Sequence, residues 1–373
     1  MSVEPVRFDP DAMLSDIEQL VSCESPSNDQ AALQRSADQV AALGARLLGA
    51  APVRHGVHLH WTFGEPRVLL LGHHDTVWPM GTLARWPMTR DGDRVTGPGC
   101  YDMKAGIVLA MHAAAALDTL DGVAIFMTGD EEIGAPTSRD LIVEAATGLE
   151  ATLVTEPCVG SAVKVARKGI RNLRLTVTGR ASHAGLEPEK GVNAGVELAR
   201  QLVEIETWPR PPGLSLVPTL VSAGTTMNTV PAAAVATFDM RGWLETDLDE
   251  MEHRLRSLEP ANSRATLEVE VTHGRGPLED SASTDLFDLA RSVAAELGHP
   301  PLEGVRVGGV SDGNFTAAAG VATLDGLGAS GDGAHAEGEW ISVSALGDRA
   351  ALLHGMLERL LGRRGVRSGE AAA

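Results

Sequence analysis

Two histidines and an aspartate follow an apolar run in the segment LGHHDTVW, Leu71–Trp78. In a strand, residues i and i+2 lie on the same face, so His73 and Asp75 are predicted to point together and His74 the opposite way. A histidine oriented by a carboxylate is a common metal ligand. An isolated H-x-D pair is more often a buried histidine hydrogen-bonded to an aspartate, so the metal-site hypothesis requires further ligands.

Further candidate ligands lie after predicted strands or in glycine-rich loops. Asp102 lies in TGPGCYDMKAG before an alanine-rich helix, where the alternative role is an N-cap. Glu131 and Glu132 lie in TGDEEIG, where three adjacent acids repel one another unless a cation is bound. Glu156 follows a strand in VTEP, and His335 lies in GDGAHAEGEW. Mixed imidazole and carboxylate ligands suit zinc, with manganese or cobalt as substitutes.

These side chains need a scaffold that brings distant segments to one place. Apolar runs at Arg67–His74, Gly122–Asp130 and Ala151–Pro157 are predicted strands, and Lys104–Asp118 and Pro136–Ala146 are predicted helices. This alternation predicts an α/β fold, with a mixed, mostly parallel twisted sheet and helices on both faces. Open parallel sheets bind ligands at the carboxyl ends of their strands, so the candidate ligands are expected to meet at that edge.

The middle of the chain follows a different pattern. Residues 169–276 read as β-α-β-β-α-β, with period-two strands and helices at Asn193–Glu206 and Asp247–Glu259. That order is typical of a ferredoxin-like α+β domain. We therefore predict a catalytic domain formed by 1–168 and 277–373, with 169–276 inserted into it.

Composition limits the classes of partner and the cellular setting. The 31 Lys and Arg residues against 50 Asp and Glu residues give a net charge of −19, so neither a nucleic-acid nor an anionic-membrane partner is expected. The first residues lack a basic n-region and an apolar h-region, so no signal peptide is predicted. No apolar run approaches the ~20 residues of a membrane helix. Three widely spaced cysteines argue against a disulfide framework, and the cytoplasm is the simplest setting.

Eight motifs occur in a fixed order over nearly the whole chain: GHHDTV, GPGCYDMKAG, GDEEIG, TEP, ASHAG, TTMNTVP, GGVSDGN and GAHAEGE. This series resembles the co-catalytic zinc metallopeptidases that include glutamate carboxypeptidase, acetylornithine deacetylase, succinyl-diaminopimelate desuccinylase and aminoacylase. Bacterial glutamate carboxypeptidase is the most similar-looking branch. The resemblance implies hydrolysis of a peptide or N-acyl amide next to a free carboxylate, in an N-acyl amino acid, a dipeptide or a glutamate conjugate.

The resemblance also implies two zinc ions and a role for each candidate residue. One ion would be held by His73, Asp102 and Glu156, and the other by Asp102, Glu132 and His335, with Asp102 bridging. Glu131 would be the general base and later the general acid. Asp75 would orient His73.

Substrate residues are implied in the same way. His183 in ASHAG matches a histidine that the family delivers across a dimer interface, which implies a homodimer built through the inserted domain. Asn228 and Arg241 match residues that hold a substrate carboxylate, and the backbone of Gly308 and Gly309 would add N–H donors. The alternatives are a turn-forming Asn228 and a surface charge at Arg241.

The sequence departs from the family pattern at two positions, neither of them a proposed ligand. Trp78 intervenes before Pro79, where the family often has proline directly after H-x-D-T-V. Ala135 replaces a small hydroxyl residue after EEIG. A second histidine cluster, RHGVHLHW, contains His55, His58 and His60 without a nearby carboxylate, and we interpret it as a solvated strand.

Three other functions remain as alternatives. A dipeptidase or aminopeptidase of the same metal-site family would read a free amine, whereas Arg241 favours a reader of carboxylates. A non-catalytic relative that binds metal or peptide would be expected to have lost the base or a ligand. A cysteine hydrolase using Cys100 lacks a supporting histidine and asparagine arrangement.

Overall fold

The computed structural model describes residues 6–362. The predicted ends of the catalytic domain, residues 1–5 and 363–373, and the start of the segment for which no signal peptide was predicted lie outside the described residues. The helices of the described residues are α1 (Pro10–Val21), α2 (Gln30–Leu48), α3 (Thr82–Arg85), α4 (Ala105–Ala115), α5 (Arg139–Ala146), α6 (Ala194–Glu206), α7 (Glu245–Arg256), α8 (Asp280–Glu296), α9 (Gly313–Ala318) and α10 (Ser344–Gly362). The strands are β1 (Val53–His55), β2 (His58–Thr62), β3 (Val68–His73), β4 (Thr89–Asp91), β5 (Arg94–Thr96), β6 (Val123–Thr128), β7 (Ala151–Val154), β8 (Val163–Arg167), β9 (Gly169–Thr178), β10 (Ser215–Ala223), β11 (Ala233–Gly242), β12 (Thr266–Arg275), β13 (Gly304–Val307), β14 (Thr323–Leu324), β15 (Gly331–Asp332) and β16 (Trp340–Ser342).

The chain forms two compact units. The first comprises the described parts of Met1–Ala166, Asp280–Val307 and Ser311–Ala373. The second comprises Arg167–Glu279 with Gly308–Val310. None of the helices in residues 6–362 combines the length and apolar character needed to cross a bilayer.

A six-stranded sheet organises the first unit, in the order β1-β2-β6-β3-β7-β14. Strands β6, β3, β7 and β14 pair in parallel, while β1 and β2 are antiparallel. Every residue of β3, β6 and β7 is buried, as expected for central strands with both faces covered. The predicted α/β fold with a mostly parallel sheet is confirmed, and the carboxyl ends of β3, β6 and β7 lie at one edge.

Two local predictions for this unit are wrong. Helix α5 begins at Arg139 and not at Pro136, because the Asp130 carboxylate accepts hydrogen bonds from the N–H groups of Thr137 and Ser138 at 2.7 and 3.2 Å. The segment before the helix is thereby held as a turn. The strand that contains His58 is not solvated at that residue, which is 2% exposed. The His58 Nδ1 atom accepts a hydrogen bond from the Gly129 N–H at 3.1 Å.

The second unit is a four-stranded antiparallel sheet in the order β12-β9-β11-β10, with helices α6 and α7 packed against it. Both the element order and the strand order are those of a ferredoxin-like fold. Alternate residues of β9 and β11 are buried, so the sheet presents its apolar face to the helices. Arg167 and Leu278 exchange backbone hydrogen bonds of 2.9 and 3.0 Å, so the chain enters and leaves this unit side by side.

A substitution at Gly106 tests whether α4 must pack closely against the sheet edge that carries the candidate ligands. A Cβ at Gly106 would overlap the carbonyl oxygen of Thr155, the residue before Glu156. We expect Gly106→Ala to lower the free energy of unfolding by about 1–3 kcal/mol and to weaken metal binding, measured by thermal denaturation and metal titration. Gly347→Ala in α10 is the matched control, because a Cβ there meets its nearest atom, the Phe8 carbonyl oxygen, at an ordinary 3.5 Å. Equal melting temperatures for the two variants would contradict the prediction.

Candidate metal centre

His73 stands at the end of β3, where it meets two carboxylates from other segments. Its Nε2 atom lies 3.4 Å from Oδ1 of Asp102 and 3.4 Å from Oε1 of Glu156. Its Nδ1 atom lies 3.1 Å from the carbonyl oxygen of Asp75. The ring therefore has one nitrogen held by its own chain and the other directed at the carboxylates.

Asp102 places its two carboxylate oxygens toward two different groups. Oδ1 faces His73, whereas Oδ2 lies 3.3 Å from Nε2 of His335. The same His335 atom lies 2.9 Å from Oε2 of Glu132. Asp102 lies in an irregular turn with φ −113° and ψ 93°, just before α4, and does not cap that helix. The N-cap alternative is therefore wrong.

Asp75 organises the site beyond its contact with His73. It is fully buried, and its carboxylate accepts hydrogen bonds from the N–H groups of Glu131 and Glu132 at 3.3 and 3.2 Å. The Ser27 hydroxyl donates a third hydrogen bond at 2.7 Å. Asp75 thus fixes the turn after β6 that carries both glutamates, a role that the sequence did not indicate.

The side chains present fit a bound metal ion. Two ligand atoms about 2.1 Å from one ion, at the tetrahedral angle, lie about 3.4 Å apart, and the distances around Asp102 are of that size. One ligand atom each from His73, Asp102 and Glu132 lies within 4.8 Å of the others. Oδ1 of Asp102 and Oε1 of Glu132 are buried without a hydrogen-bond partner among the described residues. A bound cation would satisfy both atoms, because a buried acceptor without a partner costs free energy.

The pKa shifts within the cluster also indicate a site that favours positive charge. Burial opposes the charge on His73, but its contacts with Asp102, Asp75 and Glu156 raise its pKa well above the ordinary value. Hydrogen bonds to Asp102 and Glu132 raise the pKa of His335 to about 10. Burial raises the pKa of Glu132. The carboxylates therefore favour protonation of both histidines in the metal-free protein.

One carboxylate of the cluster has an additional cationic neighbour. The Lys164 Nζ atom lies 3.5 Å from Oε2 of Glu156, whose other oxygen faces His73. Both side chains are 10% exposed. Lys164 was not predicted, because a lysine in the strand segment AVKVAR carries no sign that it faces a carboxylate.

Neighbouring residues are excluded from this chemistry by their surroundings. His74 is buried between the Ser36 hydroxyl and the Val57 carbonyl, and burial lowers its pKa to about 4. Cys100 is buried, and burial raises the pKa of its thiol well above the ordinary value. A cysteine nucleophile needs a lowered pKa and access to substrate, so the cysteine-hydrolase alternative has no support. All three cysteines are free thiols.

The predicted substrate residues lie in the second unit. His183 forms a β-bridge with Thr229, next to Asn228, and its Nδ1 atom accepts a hydrogen bond from the Gly185 N–H at 3.1 Å. Arg241 forms an ion pair with Asp239 at 2.9 Å and donates a hydrogen bond to the Gly308 carbonyl at 3.2 Å.

The backbone carbonyl of Gly309 accepts a hydrogen bond within the same unit. Arg167 donates to its carbonyl at 3.2 Å. The substrate roles of His183, Asn228, Arg241, Gly308 and Gly309 stay predictions.

Comparison with known proteins agrees with the resemblance carried by the motifs. A family model described as peptidase family M20/M25/M40 matches residues 69–359. Carboxypeptidase G2 from Pseudomonas sp. (strain RS-16) is 32% identical over 297 residues, which are 76% of this chain and 71% of that protein. Succinyl-diaminopimelate desuccinylase from Dechloromonas aromatica (strain RCB) is 29% identical over 344 residues, which are 83% of this chain and 88% of that protein.

A solved structure shares the fold. The aminopeptidase PepT from Bacillus cereus ATCC 10987 superimposes with a TM-score of 0.75 at 18% identity, covering 95% of this chain and 99% of that chain. At this identity the similarity concerns the fold alone.

The raised pKa values of His73 and His335 predict that metal binding displaces protons. The raised pKa values favour the protonated imidazoles in the metal-free protein, and both rings must be neutral to bind a metal. We expect zinc loading to release about two protons from these histidines and the apparent affinity to rise with pH. Calorimetric titration in buffers of different ionisation enthalpy measures this release. His335→Ala is expected to release one proton fewer, and a binding enthalpy independent of the buffer would refute the assignment.

Proposed function

The chain belongs to peptidase family M20/M25/M40, and we propose that it is a dizinc amidohydrolase that cleaves a peptide or N-acyl amide next to a free carboxylate. The family is metal-dependent, and the first unit brings its His, Asp and Glu side chains together. The single observation that carries the proposal is the arrangement of Asp102. One of its oxygens faces His73 and the other faces His335, as a bridging ligand requires.

In this proposal each residue around the bridge has a separate task. His73, Asp102 and Glu156 hold one ion, and Asp102, Glu132 and His335 hold the other. When bound, two zinc ions supply Lewis-acid chemistry and lower the pKa of water at the site. Manganese or cobalt are the expected substitutes.

Glu131 is the proton carrier of the proposed reaction. It takes a proton from the attacking water and gives it to the leaving amine, so the products are a carboxylic acid and an amine. Its backbone N–H is held by Asp75, which also neighbours His73. The base and the first metal ligand are therefore positioned by the same residue, Glu131 through the Asp75 carboxylate and His73 through the Asp75 backbone carbonyl.

The lining of a cavity beside Glu132 favours the proposal that the substrate carries a neutral acyl group. It has a volume of about 460 Å³ and is lined by Val77, Met80 and Ile133, whose side chains are exposed. The charged residues that line it, among those described, are Asp29 and Glu132, both acidic. Glu132 is assigned to the metal, and no Lys or Arg lines the cavity among the described residues to pair with a second carboxylate, so we propose that small aliphatic or aryl acyl groups are preferred over succinyl.

The family resemblance assigns the amino-acid part of the substrate to residues of the second unit. We propose that Arg241 and Asn228 hold its carboxylate, with N–H groups of Gly308 and Gly309 as further donors. His183 contributes to the site of the partner subunit in a homodimer.

Exposed apolar residues on the second unit support that homodimer. Strand β10 is an edge strand, and Val217, Leu220 and Val221 on it are 49, 69 and 57% exposed. Edge strands with exposed apolar residues favour pairing with another chain. The cytoplasmic setting remains part of the proposal.

A hydrolysis panel tests the reaction and the substrate class together. Metal-stripped protein, reconstituted with zinc, is offered acetyl-, benzoyl- and succinyl-glutamate, other N-acyl amino acids and unblocked dipeptides. We expect zinc-dependent release of the amino acid from the blocked substrates, most slowly from the succinyl compound. Glu131→Gln is expected to lower kcat by about 10²–10⁴ while metal content is retained. Activity on unblocked dipeptides alone would support the dipeptidase alternative.

A charge variant in the cavity separates its role from that of the metal site. We expect Met80→Lys to raise kcat/KM for the succinyl substrate relative to the acetyl one, by up to about five-fold, because a half-exposed cation adds a modest attraction. An unchanged ratio, with zinc content and acetyl hydrolysis retained, would place the acyl group elsewhere.

A mixing experiment tests the dimer and the cross-subunit His183. Glu131→Gln and His183→Ala proteins are each expected to be nearly inactive. After mixing and subunit exchange, half of the dimers are hybrids with one complete site, so activity returns to about a quarter of the wild type. Leu220→Glu is expected to yield monomers by light scattering, whereas Val53→Glu on edge strand β1 is the control that stays dimeric. A failure of the mixture to regain activity, with exchange shown, would refute the cross-subunit role.

A further inference from the structure

Glu339 is a buried carboxylate that is not among the proposed metal ligands. It is 0% exposed and follows His335 by four residues. Its Oε1 atom accepts hydrogen bonds from the N–H groups of Tyr101 and Asp102, at 2.9 and 3.1 Å. Glu339 therefore holds the backbone of the residue that bridges the two ligand groups.

The second oxygen of Glu339 is held by Trp78. The indole Nε1 atom donates to Oε2 at 2.9 Å. The Trp78 ring packs edge-to-face on Trp86, with centroids 5.1 Å apart and planes at 75°. Trp78 is one of the two residues that depart from the family pattern, and it lies three residues after Asp75.

These contacts join the three segments that bear His73, Asp102 and His335. The Asp102 N–H needs this acceptor, because Asp102 and Met103 have non-helical backbone angles and interrupt the regular helix ladder. The loop of His335 is tied in as well, because the Glu339 N–H donates to the Ala336 carbonyl at 3.1 Å. A shift of Glu339 would move the bridging carboxylate and a histidine ligand together.

We propose that Glu339 is a positioning residue for the bridging carboxylate of Asp102, and that Trp78 fixes Glu339 through its indole N–H. Outer groups of this kind orient metal ligands, and their loss typically weakens metal binding by about 10- to 100-fold. The inference rests on the proposed role of Asp102 as a metal ligand.

The test is a double-mutant cycle read out as zinc affinity against a competing chelator. In Glu339→Gln, the amide oxygen can accept from the backbone N–H groups only if its NH₂ group faces the Trp78 indole N–H, so two donors conflict. We expect zinc affinity to fall about 10- to 100-fold. Trp78→Phe removes the indole donor but keeps a ring against Trp86, and alone it should weaken affinity by less.

The double variant distinguishes positioning from general loss of structure. Adding Trp78→Phe to Glu339→Gln removes the donor conflict, so we expect it to restore affinity at least several-fold over Glu339→Gln alone. Glu197→Gln is the matched control. Glu197 is buried in the second unit and accepts the N–H groups of Ala261 and Asn262 at 2.8 and 3.1 Å. It should lower thermal stability without changing zinc affinity.

Several outcomes would overturn the inference. Unchanged zinc affinity in Glu339→Gln, or additive losses in the double variant, would do so. Where Glu339→Gln does not fold, Trp78→Phe decides alone, and an affinity equal to that of the wild type refutes the proposal. Absence of zinc binding in the wild type, or full binding by Asp102→Asn, would instead refute the proposed metal site.

Discussion

Carboxylates that converge at one edge of a buried sheet repel one another, and the structure of the first unit follows from the need to hold them there. Asp102, Glu132 and Glu156 approach His73 and His335 within hydrogen-bonding or near-contact distances. Without metal, the neighbouring carboxylates raise the pKa of both imidazoles and so favour their protonated forms. Positive charge at the centre of the cluster relieves the repulsion between these carboxylates, which is why the proposed function assigns a metal ion to them.

The acidic residues of this region fall into two groups that differ in the hydrogen-bond partners of their carboxylate oxygens. Asp75, Asp130 and Glu339 accept hydrogen bonds from backbone N–H groups, which fixes the turns around the site. Asp102 and Glu132 instead retain buried oxygens without such partners. Backbone donors keep the first group rigid, and that rigidity leaves the second group free to bind a cation without rearrangement.

The sequence predicted those features that have a local signature. The continuous apolar run before His73 identified a central strand, and the order of strands and helices identified both folds. Contacts between distant segments could not be predicted in this way. The helix after Pro136 begins late because Asp130 accepts hydrogen bonds from the intervening turn. His58 is buried, and its ring accepts a hydrogen bond from the Gly129 N–H. Glu339 carries no local signal at all, because its partners lie more than two hundred residues away in the chain. Proximity of that kind is created only by folding.

The backbone exchange between Arg167 and Leu278 has a consequence for how this chain reaches its fold. The first unit is built from segments on either side of the second, so its sheet requires the closure of a loop as long as that whole unit. Once the second unit has folded, its two ends are neighbours, and the loop left to close is short. Because loop-closure entropy grows with length, early folding of the second unit lowers the entropic barrier to assembling the first. During synthesis, early folding of the second unit would thus shorten the loop that separates α8 and α10 from the central strands of the sheet, which are synthesised earlier.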